Sequence, residues 1–285
     1  MNIVVSGAGG QLGRDVLEYF RGEKGIFITG FSRQEWDVTD SGCTRQILDG
    51  FQPDVVIHCA AYTRVDESEL KPRSAYLVNV DATRQIAREC GERKIRLVYI
   101  STDYVFDGKN RAGYTELDPP HPVNQYGRTK RLGEKWVQKC CPDHLILRTS
   151  WLYGKYGHNF VHTILEKAKQ KEALSVVTDQ VGTPTYTRHL AKQIGILIKT
   201  DAKGVFHTAN GGSCSWYQFA KTILDFAGLN YPVQAISSSQ LQRRARRPAC
   251  SILLPARSIA EGYPVMPHWK VGLRDFFRDL RGDGG

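Results

Sequence analysis

The 285-residue chain has no apolar run long enough to cross a bilayer. Its longest, such as DVVIHCAAY (54–62), stop well short of the about 20 residues that a spanning helix needs. The first ten residues, MNIVVSGAGG, carry no basic stretch and reach glycine at once, so they do not read as a secretory signal. No low-complexity tract and no internal repeat interrupts the chain. The seven cysteines are scattered, with Cys140 and Cys141 adjacent and no C-x-x-C pair, so neither zinc nor iron–sulfur ligand spacing is present and no metal is expected. An odd thiol count without a signal points to reduced cysteines in a cytoplasm. A nucleic-acid-binding motif is also missing, although the net charge is +10. The densest basic run, QRRARR (242–247), is short, and a basic protein that handles diphosphate-bearing small molecules accounts for the charge equally well. The expectation is a protein with no nucleic-acid or membrane partner, as monomer or homodimer.

What is present is ordinary globular composition, 41% hydrophobic and 24% charged, in a strand–helix alternation. Strands read at 2–6, 25–31, 54–59, 95–101 and 144–149, with helices near 11–22, 40–51, 73–92 and 125–140. Near-continuous apolar strands between amphipathic helices imply a parallel sheet covered on both faces, and right-handed crossovers make it an α/β doubly wound sheet of Rossmann type. Beyond Ser150 the pattern loosens. Helices are expected near 159–171, 188–199, 215–228 and 270–281, and short strands near 174–178, 204–208 and 233–236. Residues 1–150 are therefore expected to form a dinucleotide-binding domain. Residues 151–285 form mostly a smaller, mixed substrate lobe, with some segments returning to the first sheet.

The run VVSGAGGQLGRDVLEYF places Gly7, Gly10 and Gly13 between the first strand and the first helix. The first glycine permits a tight turn, the second lets backbone approach a pyrophosphate, and the third lets the helix pack close to the sheet. Free N–H groups at the helix start then meet the phosphates, which brings in Gln11 and Leu12. After the second strand comes GFSRQEWDVTD, where Ser32 and Arg33 stand in place of the acid that would hold a free ribose 2′-hydroxyl. Arg33 can meet a 2′-phosphate, so NADPH is expected ahead of NADH, with Asp37 and Val38 near the adenine.

In VNQYGRTKRLGE, Tyr126 and Lys130 lie four apart. On a helix they share a face, and an ammonium beside a phenol favours the phenolate, bringing it toward working pH. YISTDYVFDG ends the fourth strand at the edge where open parallel sheets bind ligands. Either Ser101 or Thr102, but not both, can turn a hydroxyl toward a substrate carbonyl there.

These residues together resemble the Ser/Thr–Tyr–Lys triad of the extended short-chain dehydrogenase/reductases. GAGGQLG, DVTD, PDVVIHCAAYTRVDESE, VNVDATR, STDYVFDG, NQYGRTKRLGE, LRTSWLYGKYGHNFV and DQVGTPT follow the order and spacing of the dTDP-4-dehydrorhamnose reductases. The match is dense to about residue 200 and thinner beyond, where SILLPARSIAEGYPVMP departs from the family pattern. The resemblance implies that Thr102, Tyr126 and Lys130 are catalytic and that Cys59, Ala60, Ala61 and Thr63 line the nicotinamide side. It also implies that Asp103, Tyr104 and Trp151 face the sugar, with Asn159, Gln180, Thr183 and Thr185 around the sugar nucleotide. The implied activity is NAD(P)H-dependent reduction of a dTDP-4-keto-6-deoxy sugar for surface polysaccharide. The dehydratases of the superfamily carry Asp-Glu after the threonine, whereas this chain has Asp103-Tyr104. Two alternatives remain: a sugar-nucleotide 4-epimerase, and a cofactor-binding regulatory subunit like the β subunit of methionine adenosyltransferase.

Overall fold

The computed structural model describes residues 1–282. The strands in chain order are β1 (Asn2–Ser6), β2 (Phe27–Phe31), β3 (Val55–His58), β4 (Arg96–Thr102), β5 (His144–Thr149), β6 (Leu152–Tyr153), β7 (Leu174–Val177), β8 (Val181–Gly182), β9 (Thr185–Tyr186), β10 (Gly204–His207), β11 (Cys214–Ser215) and β12 (Val233–Ile236). The helices are α1 (Gln11–Phe20), α2 (Ser41–Phe51), α3 (Val65–Leu70), α4 (Pro72–Tyr76), α5 (Thr83–Arg93), α6 (Gln125–Cys140), α7 (Phe160–Lys169), α8 (Thr187–Leu197), α9 (Trp216–Phe226), α10 (Ala256–Ala260) and α11 (Trp269–Arg281).

Six strands form one sheet in the order β10-β5-β4-β3-β1-β2, and every pairing in it is parallel. Strands β3, β4 and β5 are buried almost along their length, which only a sheet covered on both faces allows. One cover joins Leu12, Val16 and Phe20 of α1 to Leu190, Ile194 and Leu197 of α8. The other joins Ile47 and Leu48 of α2, Ile86 and Cys90 of α5, and Val137 of α6. The chain leaves β1 toward β2 on one side and returns to β3 on the other. That reversal opens a crevice between the carboxyl ends of β1 and β3.

A third core, around Tyr153, Val161, Tyr186, Phe219, Trp269 and Phe276, belongs to the later half of the chain. Helix α8 and strand β10 come from that half but complete the first sheet. Two departures from expectation lie between β3 and β4. The helix read as 73–92 is broken: α3 precedes it, Pro72 opens α4, and residues Leu77–Ala82 run as a π-helix before α5. Proline suits a first helical position because no N–H is needed there. Helix α3, VDESEL, escaped the reading because a short, charged segment has little apolar period to find.

Candidate active site

Gly7 sits at φ +69°, in the left-handed region, and a Cβ there would lie 2.7 Å from the Ala60 nitrogen. The loops after β1 and β3 can touch only because this residue is glycine. A Cβ on Gly13 would strike the Gly7 carbonyl. Gly10 caps α1 without a side chain, so the first N–H groups of that helix, from Gln11 onward, are left for an anion. These glycines open into a cleft of about 660 Å³ lined by Gly7, Gly10, Gln11, Leu12, Gly13, Arg33, Asp37, Val38, Cys59, Ala60, Ala61 and Thr63. Its far end reaches Thr102, Asp103, Tyr104, Tyr126, Lys130 and Trp151.

Strand alternation decides between the two hydroxyls. Ser101 turns inward and donates to Glu134 Oε1 at 2.6 Å, whereas Thr102 turns to the cleft, where it donates to Asp103 Oδ1 at 3.0 Å. Asn124 caps α6 by accepting from the Gly127 N–H at 2.8 Å, which fixes the turn that carries Tyr126. Glu134, one turn beyond Lys130, is fully buried and receives Arg148 through both oxygens, at 2.8 and 2.9 Å, and Arg131 at 2.8 Å. Burial alone would raise its carboxyl, but Arg148, Ser101 and Arg131 hold it below the ordinary value. This buried pair locks α6 against β4 and β5.

The protonation pattern differs from the expectation in one respect. Burial pushes the Tyr126 phenol above its ordinary pKa, and the neighbouring Thr102 hydroxyl only partly opposes that. The Lys130 ammonium is engaged elsewhere. It donates to the Ile100 carbonyl at 2.7 Å and lies over the Tyr99 ring, 4.0 Å from the centroid, so its charge acts on Cys59 and His58. Burial brings Lys130 itself down to about 7. Desolvation raises Asp103 to about 6 against the opposing hydrogen bonds of Ser251 and Thr102, and it takes Tyr104 to about 12. The Cys59 thiol, also pushed up to about 12 by burial, is a wall and not a nucleophile.

Several residues stand elsewhere than the sequence suggested. Asn159 is the cap of α7, accepting from the His162 N–H at 3.1 Å, and does not line the cleft. Gln180, Thr183 and Thr185 are buried behind its wall: Thr183 donates to the Gly212 carbonyl at 2.8 Å, and its own carbonyl accepts from Ser150 and Thr185. Ser32 abuts the glycine loop outside the lining, and its N–H donates to Glu35 Oε2 at 2.8 Å. A carboxylate therefore does stand at the end of β2, reached by a turn three residues long that strand-end reading overlooks.

Sequence reasoning also missed two contributors. Trp216 lines the cleft and stacks on Trp151, ring centroids 3.5 Å apart and planes within 7°. Asn79, in the π-helix, clamps both backbone groups of Tyr62 and donates to Thr129 at 3.0 Å, tying the cofactor-side loop to α6. A π-turn is a local cue to function that apolar periodicity does not register. Trp151 itself takes φ +46°, and a Cβ on Gly182 would fall 2.5 Å from its ring. Gly182→Ala is expected to displace the stacked pair and cost about 1–3 kcal/mol, read by urea unfolding and by loss of the stacked-tryptophan near-ultraviolet signal.

The acidic patch TRVDESE is already engaged. Asp66 binds Arg247 at 2.6 Å through each oxygen and accepts from the Ala245 N–H. Glu67 pairs with Arg64 and Lys71, and Glu69 accepts from the Gln125 N–H. Among the described residues no cluster of His, Cys, Asp or Glu could hold a metal ion. The basic run 242–247 is thus pinned over the site, with the Arg246 carbonyl held by Asn124 as well. The Arg247 hydrogen bond holds Asp66 down to about 2. Its contribution is present above the unfolded value of 3.8 and disappears as pH falls through about 2. Because Asp66 is half exposed, Asp66→Asn is expected to cost only about 1 kcal/mol, a difference that vanishes in urea titrations run near pH 2.

A glycine-loop crevice that runs into a buried tyrosine, lysine and threonine on α6 and β4 defines a dinucleotide-dependent oxidoreductase of the short-chain dehydrogenase/reductase class. Similarity to known proteins narrows this. Residues 1–281 match the family model described as RmlD substrate binding domain. The chain is 38% identical to a dTDP-4-keto-6-deoxy-D-glucose reductase of Streptomyces niveus over 98% of each chain. It is 37% identical to a dTDP-4-dehydrorhamnose reductase of Aggregatibacter actinomycetemcomitans, covering 96% of this chain and 97% of that one. A Bacillus anthracis dTDP-4-dehydrorhamnose reductase, solved in complex with NADP, superposes with a TM-score of 0.95 at 40% identity, over 98% and 99% of the two chains. The chain belongs to the dTDP-4-dehydrorhamnose reductase family.

Proposed function

We propose that this protein uses NADPH to reduce the C4 ketone of dTDP-4-dehydro-L-rhamnose to dTDP-L-rhamnose, in nucleotide-sugar synthesis for a surface polysaccharide. The observation that carries the reading is the convergence of Thr102 and Tyr126 with a tryptophan wall at the end of a glycine-loop cleft.

The chain's own features fit the cofactor. The uncapped start of α1 and the glycines at 7, 10 and 13 suit a pyrophosphate. Arg33 on the cleft wall suits a 2′-phosphate, while the Glu35 carboxylate beside it is occupied by the Ser32 N–H. The reduced nicotinamide, when bound, supplies the hydride. Thr102 donates a hydrogen bond to the ketone oxygen where negative charge develops, and Tyr126 delivers a proton to that oxygen. Lys130 uses one donor on Ile100 and keeps others for the ribose hydroxyls. The apolar face of the hexose lies on Trp151, with Asp103 and Tyr104 beside it on the cleft lining. The later core serves as the substrate lobe. Seven free cysteines suit a cytoplasmic setting, and no described helix is long and apolar enough to cross a membrane. Monomer and homodimer both fit.

The test is NADPH oxidation with dTDP-4-dehydro-L-rhamnose generated in situ. One NADPH consumed per dTDP-L-rhamnose formed supports the reading. Isomerisation without net NADPH loss supports an epimerase, and cofactor binding with no turnover supports a regulatory subunit.

A further inference from the structure

Asn159 has a use that neither pocket lining nor helix capping exhausts. Its Oδ1 caps α7, but its Nδ2 donates twice: to Gln11 Oε1 at 3.0 Å and to the Gly154 carbonyl at 2.9 Å. Gln11 is the first residue of α1 and lines the cleft at the phosphate end. Gly154 directly follows β6, and Trp151, the aromatic wall at the sugar end, directly precedes it. The Gly154 carbonyl also meets His162 Nε2 at 3.1 Å. The rest of the loop lies along α1. Tyr156 donates to Glu18 at 3.1 Å with Arg14 over its ring, and a Cβ at Gly157 would fall 2.9 Å from the Gln11 side chain.

We propose that the Gln11–Asn159–Gly154 hydrogen-bond chain is a latch that couples occupation of the cofactor's phosphate site to the placement of the Trp151 wall. Asn159 is then a positioning residue. The strap 151–159 is held at one end by the stack of Trp151 on Trp216 and at the other by a cleft residue of the glycine-loop helix. Holding Gln11 in place therefore holds Gly154, and with it the turn that sets the Trp151 ring. A site ordered by the first ligand costs the second less to occupy, and such coupling is reciprocal. The latch rests on the dinucleotide and nucleotide-sugar reading above.

The experiment measures affinity for dTDP-L-rhamnose with and without saturating NADP⁺, in wild type and in Asn159→Ser. Serine keeps the helix cap and removes the amide donor. In wild type, NADP⁺ should tighten dTDP-L-rhamnose about 5–20-fold. In N159S that factor should fall to within about twofold of unity, with NADP⁺ affinity alone changed by less than about threefold. Coupling that survives in a folded N159S protein, or a wild type that binds both ligands without coupling, overturns the latch. Failure of wild type to bind the nucleotide sugar at all counts against the functional reading and, with it, the latch. Should N159S unfold, Asn159→Thr, which also keeps a cap oxygen and lacks the amide donor, takes its place: lost coupling there with NADP⁺ affinity unchanged supports the latch, and retained coupling overturns it.

Discussion

Tyr126→Phe is expected to lower kcat/KM by about 10²–10⁴-fold while NADP⁺ binding stays within a few-fold of wild type. The phenol is buried and lies edge-on to Tyr104 at 5.6 Å, with Thr102 as its hydroxyl neighbour. Burial keeps it protonated at working pH, the form that a reductase needs in a proton donor. Phenylalanine preserves the ring packing and removes only the hydroxyl. The loss should therefore fall on kcat more than on KM, because the missing interaction strengthens as charge develops on the ketone oxygen. Steady-state kinetics with dTDP-4-dehydro-L-rhamnose, set beside isothermal titration with NADP⁺, checks both halves. A variant with normal turnover would remove Tyr126 from the mechanism.

Lys130→Met should abolish most activity, by about 10²-fold or more, and at the same time make the protein more stable. The first effect follows from losing the donors nearest the ribose position. The second follows from burial. Lys130 titrates near 7 in the fold against an ordinary 10.5, so between those values the unfolded chain holds the extra proton. The burial penalty is therefore fully present below pH 7 and fades as pH rises toward 10.5. The gain in K130M, about 1 kcal/mol, should be largest at or below neutrality and disappear by about pH 10. Paired urea titrations at about pH 6.5 and about pH 10 test this. Equal gains at both would mean that the ammonium is not the source of the penalty.

The sequence made the fold and the convergence of Thr102, Tyr126 and Lys130 on one cleft legible for a common reason: both rest on short-range periodicity. Buried parallel strands give apolar runs, the i,i+4 spacing puts Tyr126 and Lys130 on one face of α6, and alternation leaves one of Ser101 and Thr102 for the cleft. The order of the motifs along the chain identified the family. Direction was the harder matter. A matched motif says that Asn159, Gln180, Thr183 and Thr185 belong near the site, but not whether each side chain points into the cleft or props the wall from behind. None of the four lines the cleft, and Trp216, outside every matched motif, supplies the second half of the aromatic wall. The direction of the Lys130 side chain was hidden in the same way. Sequence spacing puts the two on one face, but the ammonium turns to the end of β4, where the Ile100 carbonyl receives it. Glu35 and Asn79 escaped because their roles arise from a tight turn and a π-helix, which neither strand nor helix period reveals.

Hydride delivery to C4 of the ketosugar beneath Thr102 and Tyr126 is the step on which the proposed function rests, and isotope transfer tests it most directly. With NADPH deuterated at the reactive C4 position of the nicotinamide, nuclear magnetic resonance of the product should show deuterium at C4 of the 6-deoxyhexose, one atom per NADPH consumed. A product bearing hydrogen there, or label at any other sugar carbon, would contradict that step.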